Sequence, residues 1–305
     1  MREKILVTGG HGLVGSCLQN KLPQAIYLSS SDYDLTRESD VIKLFENHKP
    51  TCIIHLAARV GGIIDNIENP AEYFDDNILM NTLMLKYSKM NHVEKFIGIL
   101  STCIYPDQVE DYPMTEDDLH LGPPTSTNFS YGYAKRSLSV QIDAYNKQYG
   151  TKYQYLIPCN LYGVGDKDNE KKSHFLTSLI KKIVDAKKKG ERKIILYGDG
   201  TPLRQFLFAD DLAKVIYEVY KQNITESFNV SGDENLSISE MVQIALGVCD
   251  AKDFEIIWNS EKPNGQFRKD VSNRKMKTLL SNMNFISLEE GIKKVYESYY
   301  DKISQ

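Results

Sequence analysis

The sequence predicts an α/β fold: a doubly wound parallel sheet with helices on both faces, and a smaller α/β part set against the carboxyl edge of its strands. Three observations carry this. An apolar run at residues 4–8 leads directly into a turn holding glycines at positions 9, 12 and 15, and a helical pattern follows. Short apolar runs and amphipathic stretches then alternate as far as residue 163, an order that calls for a parallel sheet covered on both sides. Beyond residue 163 the alternation continues with longer loops and no second glycine turn. At 305 residues the chain has room for this arrangement and a full-sized core.

Composition narrows the function classes. Hydrophobic residues at 41% and charged residues at 26% are the balance of a soluble globular chain. A net charge of −4 speaks against general nucleic-acid binding and against a polybasic membrane patch. No apolar run approaches the roughly 18 residues that span a bilayer, and residues 1–4 lead into a strand pattern, not an apolar leader. The five cysteines (Cys17, Cys52, Cys103, Cys159, Cys249) are widely spaced and odd in number. They show no Cys-x-x-Cys and no zinc spacing with the histidines, so no metal site is expected. Such usage fits a reducing compartment, most simply the cytoplasm.

The elements can be taken in order. The first strand ends at Gly9-Gly10-His11-Gly12-Leu13-Val14-Gly15, and the helix after it runs to about residue 22. Glycines here let the backbone approach a pyrophosphate, which makes Gly9, Gly12, Leu13, Val14 and Gly15 candidates for binding a dinucleotide in a Rossmann-type fold. A second strand, 25–28, ends at Ser29, Ser30, Asp32, Asp34 and Leu35, where the adenosine ribose would lie. The serines favour NADP(H); the two aspartates, about 20 residues past the glycines, leave NAD(H) open. A helix over 36–47 leads to a third strand, 52–56, whose end carries Leu56, Ala57 and Ala58 beside the cofactor; His55, inside that apolar strand, reads as a core histidine. Residues 59–64 read as a loop, followed by a helix over 70–91 with Pro70 in its first turn.

The fourth strand, 95–100, delivers Ser101 and Cys103. Residues 106–128 carry four prolines and several acids and should cover the site as a loop. The helix over 129–148 bears Tyr131 and Lys135, one turn apart on one face. Strand 153–158 leads to Asn160-Leu161-Tyr162-Gly163. Then come a loop at 166–172, a helix at 174–188, a strand at 194–197, a helix at 210–222 and a strand at 227–230. Two further helices open with Ser-x-x-Glu boxes, Ser237/Glu240 and Ser287/Glu290. Residues 1–163, with parts of the later chain, are expected to form the nucleotide-binding domain. Residues 164–305 are expected to form most of a substrate domain, with an interleaved boundary.

Ser101, Tyr131 and Lys135 suit chemistry at a carbonyl. A lysine cation lowers the tyrosine pKa, the tyrosine moves a proton at oxygen, and the serine hydroxyl holds that oxygen. A second Tyr-x-x-x-Lys pair, Tyr217 and Lys221, lies in an amphipathic pattern without a serine or glycine turn before it, and reads as packing and surface charge.

Nearly the whole chain resembles the extended short-chain dehydrogenase/reductases, and within them the GDP-L-fucose synthase family. The likeness rests on the glycine turn, on His55-Leu56-Ala57-Ala58-Arg59-Val60-Gly61-Gly62-Ile63, and on Ser101-Thr102-Cys103-Ile104-Tyr105-Pro106. It continues through Tyr131/Lys135, Asn160-Leu161-Tyr162-Gly163, Ser173-His174, the stretch from Gly198 to Phe206, Asp210-Asp211-Leu212 and Lys262-Pro263-Asn264-Gly265. The resemblance implies a GDP-4-keto-6-deoxy sugar as substrate, epimerised at C3 and C5 and then reduced at C4 with NADPH. It implies that Cys103 and His174 exchange the ring protons and that Ser101, Tyr131 and Lys135 serve the reduction. It also implies that Asn160, Lys182, Tyr197, Arg204 and Lys262 bind the substrate, and that the protein is a homodimer. Related 4,6-dehydratases place an Asp-Glu pair where Thr102-Cys103 stand here. The chain has His11 and the serines after the second strand where the family usually has arginines, and its Gln266–Asp270 segment differs. Two other readings stay open: a C4 reductase of another GDP-4-keto sugar (a deoxyhexose or heptose) without epimerisation, and a non-catalytic NADP-binding protein.

Overall fold

The structure is a computed structural model and describes residues 3–166, 174–281 and 283–301. The loop residues 167–172 and Ser173 lie outside the described residues.

The first part of the chain alternates as expected: β1 (Ile5–Thr8), α1 (Leu13–Gln19), β2 (Ile26–Leu28), α2 (Glu38–His48), β3 (Cys52–His55), α3 (Ile63–Glu68), α4 (Pro70–Met90), β4 (Lys95–Ile99), α5 (Phe129–Tyr149) and β5 (Gln154–Pro158). The remainder comprises β6 (Asn160–Tyr162), α6 (Phe175–Lys189), β7 (Lys193–Tyr197), β8 (Leu203–Arg204), β9 (Phe206–Phe208), α7 (Ala209–Lys221), β10 (Phe228–Val230), β11 (Leu236–Ser237), α8 (Ile238–Val248), β12 (Glu255–Asn259), α9 (Arg274–Leu279) and α10 (Leu288–Asp301).

Six strands form one parallel sheet in the order β10-β5-β4-β3-β1-β2. β10 comes from the later chain and closes the sheet beside β5. Burial on both faces explains why these strands read as continuous apolar runs. In β3, Ile53 and Ile54 are wholly buried but point to opposite sides. Ile53 packs with Val41, Leu44, Met84 and Leu138 from α2, α4 and α5, and Ile54 with Leu18, Leu212 and Ile216 from α1 and α7. Each such isoleucine contributes about 1.5–3 kcal/mol of hydrophobic stabilisation. A third cluster gathers α6, α8 and α10 around β7 and β9, through Leu179, Ile183, Leu196, Phe208, Val242 and Ile292.

His55 sits wholly buried, with Nδ1 2.7 Å from the Thr8 hydroxyl and Nε2 3.1 Å from Asn81 Oδ1. Tyr217 and Lys221 lie on α7, where Lys221 stacks over the tyrosine ring. The Ser237/Glu240 box forms with both of its hydrogen bonds. One helix departs from expectation: α3 begins at Ile63, inside the stretch expected to be loop. It is too short for an apolar period to show. Its start is fixed by Gly62 in extended backbone and by the Asn66 amide, which donates to the carbonyls of Gly61 and Gly62.

Candidate active site

The strand order reverses between β1 and β3, and at that switch point the carboxyl ends of the two strands open into a cleft of about 1090 Å³. The glycine turn forms one wall. Gly9 has φ +66°, and a Cβ there would sit 2.9 Å from the Ala57 nitrogen, so the turn is pressed against the chain leaving β3. Gly10 donates to the Leu28 carbonyl and Gly12 to that of Gly9, and the N–H groups at the start of α1 have no helical acceptor. A backbone this close, with unfilled donors, fits the pyrophosphate of a dinucleotide. Gly9→Ala should therefore destabilise the fold by about 1–2 kcal/mol from the left-handed backbone alone. Urea unfolding would measure the loss, and a dinucleotide titration should show weakened binding.

Gly9, Gly12, Leu13, Val14 and Gly15 all line the cleft, as do Ser29, Ser30, Asp34, Leu35, Leu56, Ala57 and Ala58. Asp32 does not. Its carboxylate accepts from the backbone and hydroxyl of Ser29, bonds that hold its pKa below the ordinary carboxylate range. Asp34 accepts from the backbone and hydroxyl of Thr36 and pairs with Arg37 at 3.1 Å. Both acids are engaged within their own turn.

The opposite wall starts where β4 ends. Ser101, in extended backbone, caps a single 3-10 turn over Thr102–Ile104, its hydroxyl accepting from the Cys103 N–H. Thr102 and Ile104 are buried on either side, which leaves Cys103 half-buried and facing the cleft. α5 packs directly on this turn: a Cβ at Gly132 would lie 2.7 Å from the Cys103 carbonyl oxygen. The Arg136 guanidinium ties the assembly down by donating to the carbonyls of Ile104 and Gly122. Tyr131 is thereby set beside Ser101, with its ring edge-on to Tyr73.

The electrostatics of this group differ from the expectation. Lys135 is 2% exposed, and its ammonium donates to the Ile99 carbonyl at 2.6 Å. Burial brings its pKa down to about 8. Burial also raises the Tyr131 phenol, as does the Cys103 sulfur, while the Ser101 hydroxyl lowers it; the net direction is upward. The expected lowering of the tyrosine by the lysine charge is therefore not met, because desolvation of the ring's oxygen outweighs a cation engaged elsewhere. For Cys103 the balance goes the other way. Burial raises its thiol, but the Lys269 charge, hydrogen bonds from Ser101 and Lys269, and the Arg204 charge together bring it below the ordinary thiol range.

The remaining groups come from the later chain. His174 lines the cleft just before α6, its Nδ1 3.0 Å from Asp166 Oδ2, which fixes the ring and leaves Nε2 for other partners. Asn160 lines it too and donates to the Gln205 carbonyl. Lys182 donates to the Ile195 carbonyl and lies over the Tyr197 ring, and both side chains border the cleft. Arg204 donates to the carbonyls of Leu203 and Phe267. Among the described residues its hydrogen-bond partners are these carbonyls and no carboxylate, and burial lowers its pKa to about 10. It therefore offers a desolvated cation to an anion. Lys262 is a correction. It is exposed in the turn after β12, where its N–H donates to Asn259, and it does not reach the cleft, whereas Pro263, Asn264 and Gly265 do. Sequence reading missed Lys269, Asp166 and Asn264. Lys269 meets Cys103 across 166 positions, and Asp166 meets His174 across eight.

The model for the NAD dependent epimerase/dehydratase family matches residues 5–231. The chain belongs to that family. Its relatives place it within the GDP-L-fucose synthase group. It is 36% identical to the GDP-L-fucose synthase of Dictyostelium discoideum, over 98% of this chain and 96% of the relative. It is 34% identical to the GDP-L-colitose synthase of Yersinia pseudotuberculosis, over 98% of each. Among solved structures, the GDP-L-fucose synthetase of Naegleria fowleri bound to NADP is 29% identical with a TM-score of 0.87, covering 100% of this chain and 96% of that one.

Proposed function

We propose that the protein converts a GDP-4-keto-6-deoxy sugar in two stages, epimerising C3 and C5 and then reducing C4 with NADPH, to give GDP-L-fucose. One observation carries this reading: Ser101, Cys103, Tyr131, Lys135 and His174 border the same cleft as the glycine turn. The relatives named as GDP-L-fucose synthases support it.

Each residue then has a defined task. The 4-keto group acidifies the protons on the neighbouring ring carbons. Cys103 removes such a proton as a thiolate, and His174, its ring turned by Asp166, returns one to the opposite face. The glycine turn, with Ser29, Ser30, Asp34 and Leu35 towards the adenosine ribose, would hold NADPH, which would supply the hydride for the reduction. Tyr131, protonated across the neutral range, donates its proton to the C4 oxygen while the Ser101 hydroxyl holds that oxygen. Lys135 lends positive charge behind the tyrosine. Arg204 and Lys182 meet the diphosphate, Asn160 the sugar, and Tyr197 the nucleoside. Residues 1–163 together with β10 hold the cofactor, and most of the later chain holds the GDP-sugar. NADP(H) is preferred over NAD(H), because both acids of the β2 turn are engaged locally and the serines face the cleft.

No described helix is long and apolar enough to cross a membrane. Five free cysteines, three of them buried, support a cytoplasmic setting. A homodimer through α4 and α5 is supported by exposed apolar side chains on those helices, Leu79, Met90, Val140 and Tyr149 among them.

Incubation with NADPH and GDP-4-keto-6-deoxymannose, followed by sugar analysis, should yield GDP-L-fucose, with NADH oxidised at least about tenfold less efficiently. Absence of NADPH oxidation with any GDP-4-keto sugar would overturn the reading. A second reading, reduction of another GDP-4-keto sugar, draws on the colitose synthase relative and on the exposed place of Lys262 outside the cleft. Product configuration separates the two.

A further inference from the structure

Residues 264–272 form a strap that binds the later chain to the loop after Ser101. The Gln266 amide donates to the carbonyls of Pro106 and Asp107, both at 3.0 Å. The Met114 N–H donates to the Asp270 carbonyl, and the Ser272 N–H donates back to Met114. The Arg268 guanidinium lies over the Tyr112 ring and grips the Asp270 carboxylate at 2.6 and 3.0 Å, so the one acid next to Lys269 is already taken. Between these anchors Lys269 is 8% exposed and lines the cleft, and its ammonium lies 3.2 Å from Cys103 Sγ. Among the described residues that sulfur is its only hydrogen-bond partner. Lys135 has the Ile99 carbonyl to donate to, whereas Lys269 has this sulfur alone, and a thiolate there would supply the opposite charge that stabilises a buried ammonium.

We infer that Lys269 is the positioning residue of the proton-transfer pair, its ammonium holding the Cys103 sulfur as a thiolate aimed at the ring carbons. The catalytic part of this statement rests on the reading under Proposed function; the ion pair does not. The strap fixes the sequence of proton movements. Cys103 starts as the unprotonated partner, so the carbon–hydrogen electron pair passes into the enolate as the proton moves to sulfur, and His174 enters as the proton donor. The groups that face the sulfur are Lys269 from the strap, Arg204 from β8, Ser101 from the end of β4 and Tyr131 from α5. Two of these are cations, but only Lys269 touches it.

The test is the pH profile of iodoacetamide alkylation at Cys103, read by peptide mass spectrometry, with Cys103→Ser as the blank. The wild-type thiol should react faster at neutral pH than a free cysteine does. Lys269→Met, close in shape but uncharged, should slow alkylation at pH 7 by at least about tenfold, one unit of pKa. Lys269→Arg should recover most of it, and NADPH titration of each variant checks the fold. Identical profiles for wild type and Lys269→Met would overturn the inference. So would a fall in deuterium exchange at the sugar carbons with the alkylation profile unmoved. If no GDP-4-keto sugar turns over but the profile still shifts, the ion pair stands and only the proposed activity falls.

Discussion

Tyr131→Phe is expected to abolish ketone reduction while leaving cofactor binding and ring-proton exchange in place. Removing a positioned proton donor costs about 10²–10⁴-fold in turnover. The phenylalanine ring keeps the edge-on packing against Tyr73, so little stability is lost with the hydroxyl. Steady-state NADPH oxidation measures the first effect, and solvent deuterium appearing at C3 and C5 reports the second. A variant retaining more than about a tenth of wild-type turnover would remove Tyr131 from the chemistry. The wild type should also show a decline set by Lys135. Its charge is present below about 8 and lost above, so reduction should weaken as pH rises through that value. This loss would not reflect unfolding through Lys135. Between about 8 and the free lysine pKa near 10.4 the unfolded chain binds more protons than the folded one, so this group's contribution to stability grows with pH.

How much of this was legible beforehand depended on the range over which each signal acts. The six-stranded sheet was readable up to β5 because each strand is a short apolar run and longer helical stretches separate them, α3 being the exception. The sixth strand, β10, is three residues long and was visible as a strand, but nothing local assigns it a place beside β5. Residues in the cleft divide the same way. Gly9, Gly12 and Gly15 are bound to one turn, and Ser101, Cys103, Tyr131 and Lys135 to one strand end and the next helix, so spacing exposed them. His174 and Arg204 carried no local signal and came into view through family likeness. Lys262 and Asn264 share one motif and both are exposed, yet only the asparagine borders the cleft, its Oδ1 accepting from the Asp199 N–H. Lys269 falls in the Gln266–Asp270 segment that differs from the family, but nothing local marks its role, which is a 3.2 Å contact across 166 positions of sequence. The tyrosine–lysine electrostatics failed for a different reason. Spacing shows that two groups share a face, but not that burial will outweigh the charge between them.

Cys103→Ser and His174→Asn should fail in different ways, and the difference assigns the two halves of the epimerisation. A serine hydroxyl in place of the thiolate is too weak a base. Solvent deuterium incorporation at C3 and C5 should fall by about 10²–10⁴-fold, with NADPH affinity little changed. With asparagine at 174, the base is intact and a group able to hydrogen-bond Asp166 remains, but no proton donor faces the second side of the ring. Deuterium should then enter and leave from the Cys103 side, without inversion, and reduction should proceed on the original configuration. Product analysis by NMR would show an unepimerised 6-deoxy sugar carrying label. Retained exchange in Cys103→Ser would exclude the thiolate as base, whatever the fate of the histidine. Since the sulfur is held below the ordinary thiol range, wild-type exchange should persist as pH falls into the neutral range, where a free thiol would already be protonated.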